Sequence, residues 1–357
     1  MTPAFDWAVW AVVLPLFGAA AAIVGPLRLG AWIGLVVGFA LVVCAGGLAS
    51  HLWRFGAYRH DIGGWPAPLG IGLSVDGLAA VMIGITAVIG ACVGLYGAAY
   101  FTPRAPDDPA QAAARALRGR YFWPLAMLLW AALDALFLAA DLFNLYVTLE
   151  LLSLSAVALV ALAGGPSLAA AMRYLLVSML GSLAWLLGVA LVYGRFAALD
   201  LAQLQPLVRG DAALATPLAL MIGGALFKTA LFPLHFWLPP AHAGAPAPVS
   251  ALLSAVVVKA TFYLVLRLWL MAVPSGLAAA GDLLGWLGVA AILWGGVLAL
   301  RQRHLKSMLA YSTVSQLGYL FLAFPLAKTP NYAAAVWPAA VLFIAAHALG
   351  KAALFLA

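Results

Sequence analysis

Four ionisable residues lie inside long apolar runs of this sequence: Glu150, Lys228, Lys259 and Lys351. A charge at the centre of a bilayer costs about 2.5–3.5 kcal/mol on insertion scales, so each is a functional candidate by default. Lys228 lies about fifteen residues into its run and Lys259 about ten, both too deep for easy snorkelling to an interface. His347 precedes Lys351 by one helical turn, which puts the two on one helix face. The chemistry that suits these residue types is proton transfer. An ammonium group taken out of water loses solvation, and a nearby carboxylate restores the stability of its charged form. Movement of Glu150 towards or away from Lys228 would therefore switch the lysine's hold on a proton. Na+ is a weaker candidate as cargo. It wants several oxygen ligands, and Glu150 is expected to be the only carboxylate at its depth.

The residues after Lys228 interrupt their helix. Phe232-Pro233-Leu234-His235-Phe236-Trp237-Leu238-Pro239-Pro240 follows it closely, and Pro246 and Pro248 come next. Proline removes a backbone donor and clashes with the preceding turn. Broken helices inside a bilayer line cavities or bury polar sites. Pro248 also suits the first turn of a new helix.

The elements that carry these residues follow from composition. Of 357 residues, 8% are charged and 66% are hydrophobic, against roughly 45–50% in a soluble domain. The mean hydropathy is +1.09. A soluble globular enzyme and a disordered chain are both excluded. At about 20 apolar residues per crossing, the sequence predicts about eleven spans, near 7–25, 30–50, 75–101, 121–139, 142–163, 168–193, 214–238, 249–270, 282–300, 307–324 and 335–357. The segments 51–74 and 102–120 are expected as loops. Strand alternation is absent, which argues against a β-barrel.

The formal charge of +7 comes from Lys and Arg scattered through loops, with no basic arm for nucleic acid. With the N-terminus outside, nine basic residues fall in cytoplasmic loops (Arg28, Arg104, Arg115, Arg118, Arg120, Arg173, Arg301, Arg303 and Lys306). Six fall on the opposite side (Arg54, Arg59, Arg195, Arg209, Arg267 and Lys328), so the bias favours N-terminus out. Cys44 and Cys92 stand alone in apolar runs as packing residues. There is no CxxC and no GxGxxG after a strand, so no flavin, nicotinamide, iron–sulfur or other cofactor is expected in this chain. No catalytic or metal-binding residue is nominated. The last span meets the end of the chain without a polar flank, which reads as a fragment or a split gene.

Several stretches carry a family resemblance. The run from Leu226 to Pro239, then Ala241-His242, then Ala245-Pro246-Ala247-Pro248-Val249-Ser250-Ala251-Leu252-Leu253-Ser254 and Lys259, resembles the proton-conducting, antiporter-like membrane subunits of respiratory complex I (NADH:quinone oxidoreductase) and of Mrp-type cation/proton antiporters. Asp141-Leu142-Phe143-Asn144-Leu145-Tyr146, leading to Glu150, is similar to their fifth helix and looks closest to the D-type member of the Mrp antiporters. Leu309 to Tyr319 is similar to their tenth helix, and His347 with Lys351-Ala352-Ala353-Leu354-Phe355 to their eleventh. The resemblance covers about residues 75–357; residues 1–74 share hydropathy alone.

The resemblance implies an all-α fold of fourteen helices with two inverted five-helix repeats. Residues 1–120 would then hold helices one to three and a cytoplasmic loop, 121–270 the first repeat, and 271–357 part of the second. It implies that Glu150 modulates Lys228, the proton-loading lysine beside a broken seventh helix containing Pro233, His235, Pro239, Pro240 and His242. Lys259 would be the central relay, and His347 and Lys351 would continue the hydrated path. Two residues depart from the pattern. Gln316 stands where several relatives carry His, so the relay there would pass through water. Pro240 replaces an Asp common in the family.

The expected function is that of a proton-translocating subunit in a bacterial inner membrane, embedded in lipid beside other membrane subunits of one complex. Any redox or hydrolytic site would belong to those partners, as in a complex I-type translocase or a membrane-bound hydrogenase. A stand-alone solute transporter would need a recognition pocket at the midplane, and a structural scaffold has no need of buried lysines.

Overall fold

The computed structural model describes residues 5–102, 108–208, 211–272 and 278–357. Arg104, Arg209 and the side chain of Arg28, counted above among the loop charges, lie outside the described residues. Eleven of the described helices are long and apolar enough to cross a membrane. They are α1 (Trp7–Val24), α2 (Leu29–Phe55), α3 (Gly77–Tyr100), α4 (Pro109–Leu138), α5 (Leu142–Ala161), α6 (Pro166–Phe196), α7 (Ala215–Gly244), α8 (Ala247–Met271), α9 (Ala279–Leu300), α10 (Leu305–Leu326) and α11 (Ala333–Leu356). The chain is an all-α polytopic membrane protein, as its composition predicts.

Two segments differ from expectation. The stretch 102–120, expected as a loop, is helical from Pro109, so Arg115, Arg118 and Arg120 ride on the first turns of α4. Its Ala, Arg and Gln are strong helix formers, and a proline at the first position costs no hydrogen bond. The stretch 51–74 contains an antiparallel hairpin of β1 (Tyr58–Asp61) and β2 (Gly72–Val75). Four-residue strands are too short for a period-two pattern to show.

Successive crossings bring the starts of α1, α3 and α5 to one face. Asp6, Asp76 and Asp141 cap these helices there, accepting hydrogen bonds from the backbone amides of Ala8, of Ala79, and of Phe143 and Asn144. Such caps contribute about 0.5–2 kcal/mol each. On the same face Ala140 N–H donates to the Gly72 carbonyl at 3.1 Å and Leu201 N–H to the Ala140 carbonyl at 2.9 Å, joining the hairpin to the α4–α5 and α6–α7 connections. Arg59 donates to Asp61 at 2.7 Å and to Asp200 at 2.6 Å. Burial opposes the Arg59 charge, but these two carboxylates hold the guanidinium above its ordinary range.

Arg267, near the end of α8, binds both oxygens of Asp76. Burial works against the Asp76 charge, yet the Arg267 guanidinium and the capped amides hold its carboxyl below the usual carboxylate range. The stability this contributes is present above the ordinary carboxylate pKa and is lost as pH falls through the depressed one. The stability difference between wild type and Asp76→Asn, measured by thermal unfolding in detergent, is therefore expected to close on acidification.

The core is centred on α8, whose most apolar 18-residue stretch is wholly buried. Around it, α6 and α7 approach closely through glycines. A Cβ on Gly181 would stand 2.5 Å from the Gly224 carbonyl oxygen, and one on Gly224 would be closer still to the Gly181 carbonyl. This contact holds the Lys228 helix against α6. Overpacking a well-packed interior costs about 1–3 kcal/mol. Gly224→Val is thus expected to lower the detergent unfolding midpoint; a midpoint equal to wild type would show that the two helices can separate freely.

Candidate functional site

The α7 span is two half-helices with a break between them. Its first half runs Ala215–Thr229 and ends with Ala230 in a left-handed conformation (φ 57°). A short 3-10 turn, Leu234–Trp237, leads to the second half, Leu238–Gly244. Pro233 precedes that turn, and Pro239 and Pro240 occupy the opening of the second half, where missing N–H groups are tolerated. The break leaves carbonyls of the first half without helical partners. The Phe227 carbonyl accepts from the Ala230 N–H at 3.4 Å and also from Trp237 Nε1 at 2.9 Å, while the Trp237 ring stacks on Tyr174 at 4.1 Å.

Lys228 lies in the last turn before the break, where the carbonyl end of a helix favours a cation. It is 3% exposed. Its ammonium donates to Ser153 Oγ at 2.6 Å, to Ser178 Oγ at 2.8 Å and to Glu150 Oε1 at 3.4 Å. The α5 helix thus presents Glu150 and, one turn on, Ser153; α6 supplies Ser178. The hydroxyls hold the lysine tightly, and the carboxylate stands at the outer limit of a hydrogen bond. Neither serine is nominated by the sequence pattern, although Ser153 shares Glu150's helix face, a signal that could have found it.

Beyond Lys228, α7 and α8 meet through hydroxyls. Thr229 Oγ1 lies 2.9 Å from Thr261 Oγ1. Lys259 is fully buried on α8, immediately after a π-helical turn, Leu253–Val257. Such a turn misaligns the backbone ladder and is common at functional sites. Here Lys259 Nζ donates to the Ser254 carbonyl within that turn. The Ser254 hydroxyl in turn lies 2.7 Å from the Thr313 hydroxyl of α10. Thr313 Oγ1 donates to the Leu309 carbonyl at 2.9 Å, and Lys351 of α11 donates to the same carbonyl at 3.0 Å. Hydroxyls and backbone carbonyls thus link Lys259 to Lys351, both buried. Ser254 and Thr313, like the two serines, are additions to the residues expected from sequence.

The histidines lie along this row. His242 stacks on Phe355 at 4.9 Å and is within electrostatic reach of Lys259, Lys306 and Lys351. His347 is within reach of Lys259 and Lys351 and packs near Phe343. All four ring nitrogens of these two residues are buried without a hydrogen-bond partner among the described residues. His235 lies in the break between Phe232 and Tyr311. Gln316 is half-buried one turn beyond Thr313 and bonds to no member of the row among the described residues.

Asp134, on α4, corrects the expectation that Glu150 is the only carboxylate at depth. It is fully buried, four residues before the end of that helix. Its run, Leu125–Ala140, is otherwise apolar, so the criterion that picks out Glu150 also applies to it.

The transmembrane family described as NADH:quinone oxidoreductase/Mrp antiporter, TM, matches residues 139–357. The N subunit of NADH-quinone oxidoreductase from Desulforudis audaxviator is 37% identical over 353 residues, covering 96% of this chain and 68% of the relative. The D subunit of the Na(+)/H(+) antiporter from Bacillus subtilis is 29% identical over 285 residues, covering 78% of this chain and 55% of the relative. A chain of the membrane-bound sulfane sulfur reductase, an archaeal respiratory membrane complex, superposes with a TM-score of 0.86 at 28% identity, covering 98% of this chain and 69% of that one. The chain therefore spans between about half and two thirds of the length of these proteins.

Proposed function

The chain belongs to the NADH:quinone oxidoreductase/Mrp antiporter transmembrane family, and from that membership we propose that it is a proton-translocating subunit of a multisubunit complex in a bacterial inner membrane, with its N-terminus outside. The observation that carries this reading is the buried, bonded row itself. Lys228 is held beside Glu150 at the break in α7, and Lys259 is joined to Lys351 through Ser254, Thr313 and the Leu309 carbonyl. A lysine can carry a proton and give it up, and hydroxyls both donate and accept; the Ser254 and Leu309 carbonyls only accept, so they anchor the two ammonium groups while water ordered along the row would carry the proton between them. His242, His347 and Gln316 flank the row as polar groups able to order water along it.

In this mechanism Lys228 takes a proton with Glu150 near and releases it when the carboxylate withdraws. The hydroxyls of Ser153 and Ser178 position the ammonium throughout. Thr229 and Thr261 lie at the crossing towards α8. Lys259 receives the proton, and Lys351 continues the route. Each charge moved across the membrane is worth about 2.3 kcal/mol per 100 mV, so modest changes in proton affinity are enough to couple transfer to the potential. The driving event, whether cation antiport or a redox reaction, resides with partner subunits, and Na+ would be cargo of the complex.

The test is dye-reported proton movement in vesicles that contain the assembled complex under an imposed membrane potential. Thr313→Val matches the threonine in shape but lacks the hydroxyl that joins Lys259's turn to α10. It is expected to slow transport several-fold, and Thr313→Ser to restore it. Transport by Thr313→Val at the wild-type rate would remove this link from the route.

A further inference from the structure

We propose that Asp134 is a proton-holding site in its own right, sharing bound water with the Thr86 hydroxyl among α2, α3 and α4, apart from the lysine row. Asp134 is 0% exposed, and neither of its carboxylate oxygens has a hydrogen-bond partner among the described residues. Thr86 is 2% exposed, and its hydroxyl is also without a partner among them. Helix register places the two at one level. Trp130, one turn before Asp134 on α4, packs against Gly90 of α3, where a Cβ would collide with the indole ring. Nearer the start of α4, Trp123 lies beside Gly94, so the two helices run antiparallel and Thr86, one turn before Gly90, falls opposite Asp134. From α2, a Cβ on Gly38 would stand 3.5 Å from the same Trp130 ring, and buried Cys44 lies within electrostatic reach of Asp134.

An ionised carboxylate without donors is among the most costly groups to bury. No cation offsets that cost here, since Asp134 has no salt bridge among the described residues. A neutral carboxylic acid avoids it, but its O–H needs an acceptor and its carbonyl a donor. Buried water supplies both, typically through about three hydrogen bonds to polar groups that otherwise lack partners. The Thr86 hydroxyl adds one further donor and acceptor. Water is the ligand that this pair of orphaned groups suits, and the proton on Asp134 is what the water stabilises. The site stands whether or not the lysine row conducts, because neither Lys228 nor Lys259 bonds to it.

Infrared spectroscopy of the intact complex at neutral pH tests the site without reference to transport. Asp134→Asn keeps the shape of the side chain and removes the acid. Its spectrum is expected to lack one carboxylic-acid C=O stretch that the wild type shows. Thr86→Val is expected to shift that band, and Thr86→Ser to return it. Loss of a carboxylate stretch in Asp134→Asn would overturn the proton assignment, and an acid band unmoved in Thr86→Val would overturn the shared water. If Asp134→Asn does not assemble, [4-13C]aspartate labelling of the wild type and of Asp134→Glu gives the same reading. An isotope-shifted acid band present in the wild type and absent from Asp134→Glu supports the site, and its absence from the wild type, or its persistence in Asp134→Glu, overturns it.

Discussion

Lys228→Ala is expected to abolish proton transport while leaving the chain assembled with its partners. Among the described residues, its ammonium is the only cationic group bonded to Glu150, Ser153 and Ser178, so its loss empties the proposed loading position at the break in α7. A fall of at least about tenfold corresponds to ~1.4 kcal/mol or more on the transfer barrier. A purely structural lysine would show a different pattern. Glu150 is partly exposed and can stay hydrated without Lys228, so the cost of about 3–5 kcal/mol for breaking a fully buried pair does not apply, and lost assembly on copurification would instead mark Lys228 as structural. Lys228→Arg separates the two roles further. Arginine keeps the positive charge and can pair with Glu150, but it does not release its proton in proteins. If Lys228 carries protons, Lys228→Arg assembles and fails to transport. If Lys228 is only a counter-ion, Lys228→Arg transports normally, and the loading role is lost.

Glu150→Gln is expected to reduce transport by about tenfold, again with assembly intact. Glutamine is nearly isosteric and can still accept from Lys228, so packing changes little; what disappears is the negative charge. The 3.4 Å separation and Glu150's partial exposure, against the deep burial of Lys228, show a pair at the loose end of its range. A carboxylate so placed can approach or withdraw through a small side-chain motion, whereas the shorter serine contacts stay fixed. Glu150→Asp shortens the reach and is expected to give an intermediate rate. The measurement is proton movement in vesicles across a range of pH. An unchanged rate for Glu150→Gln at every pH would reject the switch while leaving Lys228 as a carrier.

The ionisable members of the row are legible from sequence because a lysine or glutamate within twenty apolar residues has no neutral explanation. Lys228, Lys259, Lys351 and Glu150 all meet that criterion. Ser153, Ser178, Ser254 and Thr313 do not, since a hydroxyl in an apolar helix can satisfy itself on the carbonyl one turn back, as Ser153 does on Leu149. Their roles arise from partners 75, 50 and 59 residues away in the chain. The π-helical turn before Lys259 is likewise silent in Leu253-Ser254-Ala255-Val256-Val257, which reads as ordinary helix.

Sequence alone determined the solvent, the number of crossings and four of the ionisable residues inside them, Glu150, Lys228, Lys259 and Lys351, while Asp134 went unremarked. Each of these depends on local hydropathy, which a window of about 20 residues contains in full. The prolines after Lys228 also announced a break, because proline's missing donor acts within one turn. Only the tertiary structure decided what those charges touch. Whether Glu150 meets Lys228, whether Lys259 and Lys351 share a chain of hydroxyls and carbonyls, and whether Asp134 faces Thr86 depend on helix rotation and close approach. Rotation and approach are set by contacts such as Gly181 against Gly224 and Trp130 against Gly90, between residues tens of positions apart. In a bilayer the lipid is as apolar as the core, so hydropathy does not say which face of a helix turns inward; packing does.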